Sequence, residues 1–133
     1  YLKEHSNENF DLIFDCTDNH KNKILSSQLC KKNKIAYVSI SINSTEGIYF
    51  SQNYKKDTTA CFACLFPQTD VNHRCLNSAM IGPVAGFVTS LACTKIIFAL
   101  ANSSIDLKSE INLIDLLTSD INKLQLADIK CPH

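Results

Sequence analysis

The chain has 133 residues, of which 20% are charged and 45% hydrophobic, and its 13 basic side chains balance 13 acidic ones. A chain of this length buries one hydrophobic core, so the sequence predicts a single domain. Without a basic surplus it lacks the charge that drives binding to nucleic acid or to an anionic membrane. Seven cysteines at irregular spacing, with no secretory signal, are typical of a reducing compartment, so we predict a cytoplasmic protein.

The first predicted elements form a strand, helix, strand unit. The apolar run Phe10–Cys16 has the length and composition of a buried parallel strand. Apolar residues then recur at helical spacing over residues 19–32, and Asp18 or Asn19 is suited to cap this helix. A second strand is predicted over Lys34–Ile42, so we expect a parallel α/β sheet with a right-handed crossover.

Further elements are predicted after this unit. Residues 46–52 alternate like a strand with one face in solvent, and residues 67–80 have no period and are predicted to form a loop. The apolar run from Ile81 to Ala101 is interrupted by Pro83 and Lys95 among others, which favours a buried helix over a transmembrane one. Residues 110–116 and 121–129 alternate well enough to form two antiparallel strands.

Three polar residues, Asp15, Asp18 and Asn19, follow the first predicted strand. Open α/β sheets bind ligands at the carboxyl ends of their strands, and carboxylates there can hold Mg²⁺ beside a triphosphate. In the alternative interpretation Asp15 accepts hydrogen bonds from loop amides and Asp18 only caps the helix. These five residues, "DCTDN", leave both interpretations open.

Several cysteines are candidates for chemistry. Cys61 and Cys64 have the spacing with which one turn aims two thiolates at one metal ion, although two ligands are half of a tetrahedral site. Cys75 follows Arg74 and precedes a predicted helix, and both features favour a thiolate nucleophile; an inert cysteine is the alternative. Three other cysteines, Cys16, Cys30 and Cys93, are predicted to be small core residues.

The order of these motifs resembles a known family. "FDCTDN", "KIAYVSIS", "EG", "CFACLFP", "HRC", "MIGPVAG" and a terminal "CP" are similar to the carboxyl-terminal half of the ThiF/MoeB/HesA family, whose members are relatives of the ubiquitin-activating enzymes. The resemblance runs from Phe10 to Pro132. It implies an α/β, Rossmann-like fold with a mixed sheet, in which residues 1–133 are a single partial domain.

The resemblance also implies an activity. The family adenylates the carboxyl-terminal glycine of a ubiquitin-like sulfur-carrier protein with ATP and Mg²⁺ and releases pyrophosphate. By this likeness Asp18 contacts magnesium and phosphates, with Asn19 and Lys23 as further nucleotide-binding residues. Cys75 matches the family's crossover-loop cysteine, which forms a covalent link to the carrier. A homodimer is implied as well.

The family likeness extends the cysteine pair to a zinc site. Cys61 and Cys64 correspond to two of its four structural Zn²⁺ ligands, and Cys131 of "KCPH" corresponds to a third, one residue short of the expected fourth. The family's Gly-rich nucleotide loop precedes "DCTDN" and is not among these residues, so we expect this chain alone to be inactive. Lys23, Ser27 and Ser44 stand where relatives usually have Arg, Asn and Gly.

The motifs "CLFP", "HRC" and "GPVAG" favour the thiamine-branch ThiF type, with a ThiS-like carrier, over the molybdopterin-branch MoeB type, with a MoaD-like carrier. A second hypothesis is a non-catalytic, zinc-stabilised module that binds a ubiquitin-like protein. A third, a NAD-binding half domain, is disfavoured because "DCTDN" and the CxxC pair have no role in it.

Overall fold

Five strands form one sheet in the order β1-β2-β3-β4-β5. The computed structural model describes residues 10–55, 60–67, 79–101, 107–126 and 131. Within them the elements are β1 (Leu12–Asp15), α1 (His20–Lys32), β2 (Ala36–Asn43), β3 (Glu46–Asn53), α2 (Phe62–Leu65), α3 (Gly82–Ala101), β4 (Glu110–Asp115) and β5 (Asp120–Gln125).

The sheet is mixed, as the resemblance implies. β1 and β2 are parallel and are joined through α1, whereas the three further pairs, β2 with β3, β3 with β4 and β4 with β5, are antiparallel. Asn43 pairs with Glu46, so only Ser44 and Thr45 connect β2 to β3, and so short a connection joins antiparallel strands alone. The expectation of a parallel sheet therefore holds only for its first pair. Ser44 has a φ of 54°, a conformation that suits the glycine usual in relatives.

The prediction that the third strand has one face in solvent is wrong. β3 is the central strand, and its residues 49–53 are all buried. Tyr49 packs with α3 on one side of the sheet, and Phe50 packs with α1 and α2 on the other. We call these two sides the α3 face and the α1 face. The polar residues that gave the strand its alternating pattern, such as Gln52, lie inside the fold.

Helix α3 buries one side only, so the prediction of a buried helix is correct for that side alone. Its inward residues, spaced mostly four apart, pack on β2 and β3: Val84, Val88, Ala92, Ile96 and Ala99. Its outward side carries exposed apolar residues: Phe87, Ile97, Phe98 and Leu100. Among the described residues this helix has the length and composition of a membrane span, with mean hydropathy 1.9 and 22% of an 18-residue window of it buried. Core helices of soluble proteins have the same length and composition.

Gly47 lets α3 approach the sheet closely. A Cβ placed on Gly47 lies only 2.3 Å from Cγ2 of Val88, and Val88 is fully buried and β-branched, so it has little freedom to move aside. By contrast, a Cβ on Gly86, in α3 itself, meets nothing within 4 Å. The "EG" motif therefore has a packing role in this structure.

We expect Gly47→Ala to lower the free energy of unfolding by about 1–3 kcal/mol, because the new methyl group displaces Val88. Combining it with Val88→Ala makes room for that methyl group, so the double variant loses less than the sum of the single variants. Gly86→Ala is the matched control and is expected to be neutral or to stabilise by up to about 1 kcal/mol. Additive losses in urea-induced unfolding contradict the proposed contact.

Candidate functional site

The carboxyl end of β1 holds a buried carboxylate whose oxygens are both hydrogen-bonded. Thr17 donates to Asp15 Oδ1 from its backbone nitrogen at 2.9 Å and from its hydroxyl at 2.7 Å. The Tyr37 hydroxyl donates to Oδ2 at 2.8 Å. Burial raises the pKa of Asp15, but these hydrogen bonds and the nearby Lys23 ammonium outweigh it and hold the pKa below its usual value. The interpretation of Asp15 as an acceptor for loop amides is thus confirmed.

Lys23 reaches from α1 to the same point and is 3% exposed. Its ammonium donates to the Ile40 carbonyl at 2.8 Å and to Ser39 Oγ at 3.0 Å, and it lies 3.7 Å from Asp15 Oδ1. Burial lowers the pKa of Lys23, and Asp15 opposes that change. Lys23 therefore ties α1 to β1 and β2 by contacts inside the protein. Its predicted contact with a nucleotide stays a prediction.

Asp18 and Asn19 lie exposed in the loop that leaves β1. Asn19, and not Asp18, caps α1: Asn19 Oδ1 accepts from the backbone nitrogen of Asn22 at 3.2 Å. The interpretation of Asp18 as a mere helix cap is therefore wrong. Its carboxylate stands at the strand end, open to solvent, where a metal ion or phosphate group has access. The predicted magnesium and nucleotide contacts stay predictions.

Three predicted metal ligands lie together on the α1 face. The Sγ atoms of Cys61, Cys64 and Cys131 are all within 4.8 Å of one another. Cys61 and Cys64 are 3.5 Å apart, and Cys64 and Cys131 are 3.3 Å apart. A tetrahedral Zn²⁺ site with bonds of about 2.3 Å separates its sulfurs by about 3.8 Å. The three thiols therefore fit three positions of such a site.

The surroundings of these thiols are also defined. Cys61 precedes α2, and the backbone nitrogen of Cys64 donates to its carbonyl at 3.0 Å, which forms the turn. Lys31 Nζ, at the end of α1, donates to Cys131 Sγ at 2.8 Å. Burial raises the pKa of Cys64 to about 12, and the neighbouring thiols add to the rise. Metal binding here therefore has to displace a proton.

A small polar network that sequence reasoning missed anchors the cysteine turn to α1. The Ser27 hydroxyl is buried, lies 2.6 Å from the Tyr54 hydroxyl and accepts from the backbone nitrogen of Phe62 at 3.3 Å. Ser27 attracts notice in the sequence only as a departure from the usual Asn. Ser27 lies on the buried side of α1. This position in the helical periodicity is the signal from which its contacts inside the protein could have been predicted.

The other candidates have different outcomes. Cys75, Arg74 and the predicted loop around them lie outside the described residues, so the nucleophile stays a prediction. Of the cysteines predicted to be core residues, Cys30 is buried and Cys93 half-buried. Cys16 is exposed, which contradicts its prediction, because β1 ends one residue earlier at Asp15.

We expect Lys23→Met to lower the free energy of unfolding by about 3–5 kcal/mol, because it leaves the buried Asp15 carboxylate without its partner charge. Adding Asp15→Asn removes that charge and recovers part of the loss. Lys21→Met is the matched control, since Lys21 is an exposed lysine on the same helix, and it stays within about 0.5 kcal/mol. Equal losses in denaturant unfolding of the two lysine variants contradict this role of Lys23.

Comparisons with known proteins agree with this architecture. The ThiF family matches residues 3–133. An "Adenylyltransferase and sulfurtransferase MOCS3" of Caenorhabditis briggsae is 29% identical over 112 residues, which cover 81% of this chain and 27% of that protein. An "Adenylyltransferase and sulfurtransferase UBA4" of Yarrowia lipolytica is 33% identical over 84 residues, or 61% of this chain and 21% of that protein. The chain thus spans about a quarter of the length of the curated relatives it matches.

Solved structures show the same fold. The E. coli protein MccB, solved with ATP, aligns with a TM-score of 0.69 and 15% identity over 99% of this chain and 40% of MccB. The heterocyclase TruD aligns with a TM-score of 0.63 and 12% identity over 88% of this chain and 21% of TruD. Since the family match spans nearly the whole chain, this protein belongs to the ThiF family.

Proposed function

We propose that the complete gene product containing this chain adenylates the carboxyl-terminal glycine of a ubiquitin-like sulfur-carrier protein. The family match and the relatives named adenylyltransferase and sulfurtransferase support this activity. The single observation that carries the proposal is the solvent-exposed Asp18 at the carboxyl end of β1. The buried pair of Asp15 and Lys23 anchors the start of the loop in which Asp18 lies. This is where open α/β sheets bind nucleotides.

The proposed reaction joins two negatively charged groups. An oxygen of the carrier carboxylate attacks the α-phosphorus of ATP, the bond from that phosphorus to the bridging oxygen breaks, and pyrophosphate leaves. The product is an acyl adenylate. Asp18 contributes an anionic ligand for Mg²⁺, whose charge offsets that of the phosphates. Asn19 and Lys23 are the further nucleotide-binding candidates, and the family's Gly-rich loop supplies the remaining phosphate contacts.

After adenylation we assign Cys75 a second role. Its thiolate attacks the carbonyl carbon of the acyl adenylate, AMP leaves, and a thioester joins the carrier to the protein. The basic neighbour Arg74 favours the thiolate form. This step follows pyrophosphate release, so loss of Cys75 leaves the first step intact.

We further propose that the carrier belongs to the thiamine branch of the family and not to the molybdopterin branch. The motifs around the cysteines favour a ThiS-like carrier of thiamine biosynthesis. The relatives' names support sulfur transfer in general and do not favour that branch over the molybdopterin branch. A non-catalytic module that binds a ubiquitin-like protein remains the second candidate, and the exchange assay below separates it from an enzyme.

We also propose a structural Zn²⁺ held by Cys61, Cys64 and Cys131, with the fourth ligand from outside the described residues. The support is the mutual distances of the three Sγ atoms.

A homodimer in the cytoplasm completes the proposal. The exposed apolar side chains Phe87 and Ile97 on α3 support a subunit interface.

We expect Asp18→Asn to reduce carrier-dependent exchange of radiolabelled pyrophosphate into ATP at least about 100-fold, because the metal loses an anionic ligand. The complete gene product is assayed with its carrier protein. Cys75→Ala is the control, since it removes the later nucleophile and leaves exchange nearly unchanged. Normal exchange by Asp18→Asn contradicts the assignment, and absence of exchange in the unmodified protein favours the non-catalytic module.

We expect the complete gene product to retain one zinc per chain after dialysis against a mild chelator and the 133-residue chain alone to hold zinc poorly or not at all, because the chain alone lacks the fourth ligand. In the complete gene product, Cys64→Ser should lose the zinc, since a structural site depends on each thiolate. Cys16→Ser is the matched control, since Cys16 is an exposed cysteine outside the cluster. Retention should fall as the pH is lowered, because the ligands must be deprotonated. Elemental analysis that finds no zinc in the complete gene product contradicts the metal site.

A further inference from the structure

One side of α1 contacts both parts of the thiol cluster described above. Ser27 and Lys31 are four residues apart, so their side chains lie on the same side of the helix. The Ser27 hydroxyl accepts from the backbone nitrogen of Phe62, the residue after Cys61, at 3.3 Å. The Lys31 ammonium donates to Cys131 Sγ at 2.8 Å. Two segments that are distant in the sequence therefore meet on one helix, and each brings a metal ligand with it.

The thiol cluster gains negative charge when it binds a metal ion. Three thiolates exceed the charge of Zn²⁺ by one unit, and a fourth thiolate makes the excess two units. The side chains of Phe62, Leu65 and Phe66 pack in the same cluster as the cysteines, and apolar groups of this kind do not stabilise a charge. The loaded site therefore carries an excess of negative charge that a nearby cation can offset.

Lys31 is placed to supply this cation. It lies in the last turn of α1 and is half-buried, whereas its neighbour Lys32 is exposed. The last turn of a helix favours positive side chains, because the carbonyl end of the helix carries partial negative charge. A thiolate that binds one metal ion keeps lone pairs that can accept a hydrogen bond. The contact between Lys31 and Cys131 is therefore compatible with a metal ion bound to the same sulfur.

We propose that Lys31 is a positioning residue of the metal site, which orients Cys131 and offsets the negative charge of the thiolates. This inference rests on the structural Zn²⁺ proposed above. Lys31 does not bind the metal ion itself and acts through the sulfur of Cys131, as side chains around the ligands of a metal commonly do. Its hydrogen bond holds Cys131 Sγ beside Cys64 Sγ, at 3.3 Å, so that both sulfurs can bind one ion.

The experiment measures the dissociation constant of Zn²⁺ from the complete gene product by competition with a chromophoric chelator. We expect Lys31→Met to weaken zinc binding about 10–100-fold, the usual effect of losing a hydrogen bond to a metal ligand. Lys31→Arg keeps a charged donor and should bind zinc within about threefold of the unmodified protein. Lys32→Met is the matched control, since Lys32 is the exposed lysine next along the helix, and it should leave the constant unchanged.

Replacing Zn²⁺ by Co²⁺ separates this role from a contribution to stability alone. A hydrogen bond to a thiolate lowers the energy of its lone pairs, so losing the bond moves the sulfur-to-cobalt charge-transfer band to longer wavelength. We expect this move in Lys31→Met and not in Lys32→Met, while the d–d bands of tetrahedral Co²⁺ stay in place in both. A charge-transfer band at the same wavelength in Lys31→Met overturns the proposal, because it shows that the ammonium does not act on the sulfur.

The zinc measurements contain two further outcomes against the proposal. Zinc binding by Lys31→Met that equals that of the unmodified protein overturns the role of Lys31 and leaves the metal site in place. Equal losses in Lys31→Met and Lys32→Met indicate a general effect of charge and overturn that role as well. Absence of zinc from the unmodified complete gene product overturns the structural Zn²⁺ and this inference together, so the two failures are distinguishable.

Discussion

The buried contact between the Asp15 carboxylate and the Lys23 ammonium is the interaction on which the candidate site depends. It joins the end of β1 to α1 and β2 in a place from which water is excluded, so each charge needs the other. The backbone nitrogen of Thr17 donates a hydrogen bond to the same carboxylate, and this hydrogen bond fixes the direction in which the chain leaves β1. The exposed Asp18 follows in that loop. A flexible loop at this point would not present a carboxylate at a constant position to a metal ion.

The two faces of the sheet have different chemistry. The α1 face carries the Asp15 network and the three clustered thiols, both anchored by polar side chains of α1: Lys23, Ser27 and Lys31. The α3 face is mainly apolar, and Gly47 allows α3 to lie close to it. Beyond the close contact, where α3 reaches β4 and β5, a cavity lined in part by Tyr49 and Lys95 opens. One sheet thus separates the proposed activation site from this cavity.

Local sequence patterns predicted well where the helices and strands lie. They predicted less well which of their residues are buried. The strand, helix, strand unit and the last hairpin follow from apolar periodicity, which is a property of neighbouring residues. The burial of β3 does not follow from such a pattern, because Gln52 and its polar neighbours are typical of a strand face in solvent. They are buried because helices cover both faces of the sheet. Lys23 on an amphipathic helix is typical of a surface residue, and only the tertiary fold supplies its partners. The proximity of Cys131 to Cys61 and the cavity at Tyr49 depend on contacts distant in sequence.

The most direct measurement of the central claim is hydrogen exchange at the backbone amide of Thr17, which donates to Asp15. It compares the unmodified protein with Lys23→Met under conditions in which both remain folded. If the buried pair holds the loop, exchange at Thr17 accelerates at least about tenfold in the variant, while amides of β3 and β4 keep their protection. Unchanged exchange at Thr17 would show that the loop is ordered without the ion pair, and would contradict the account.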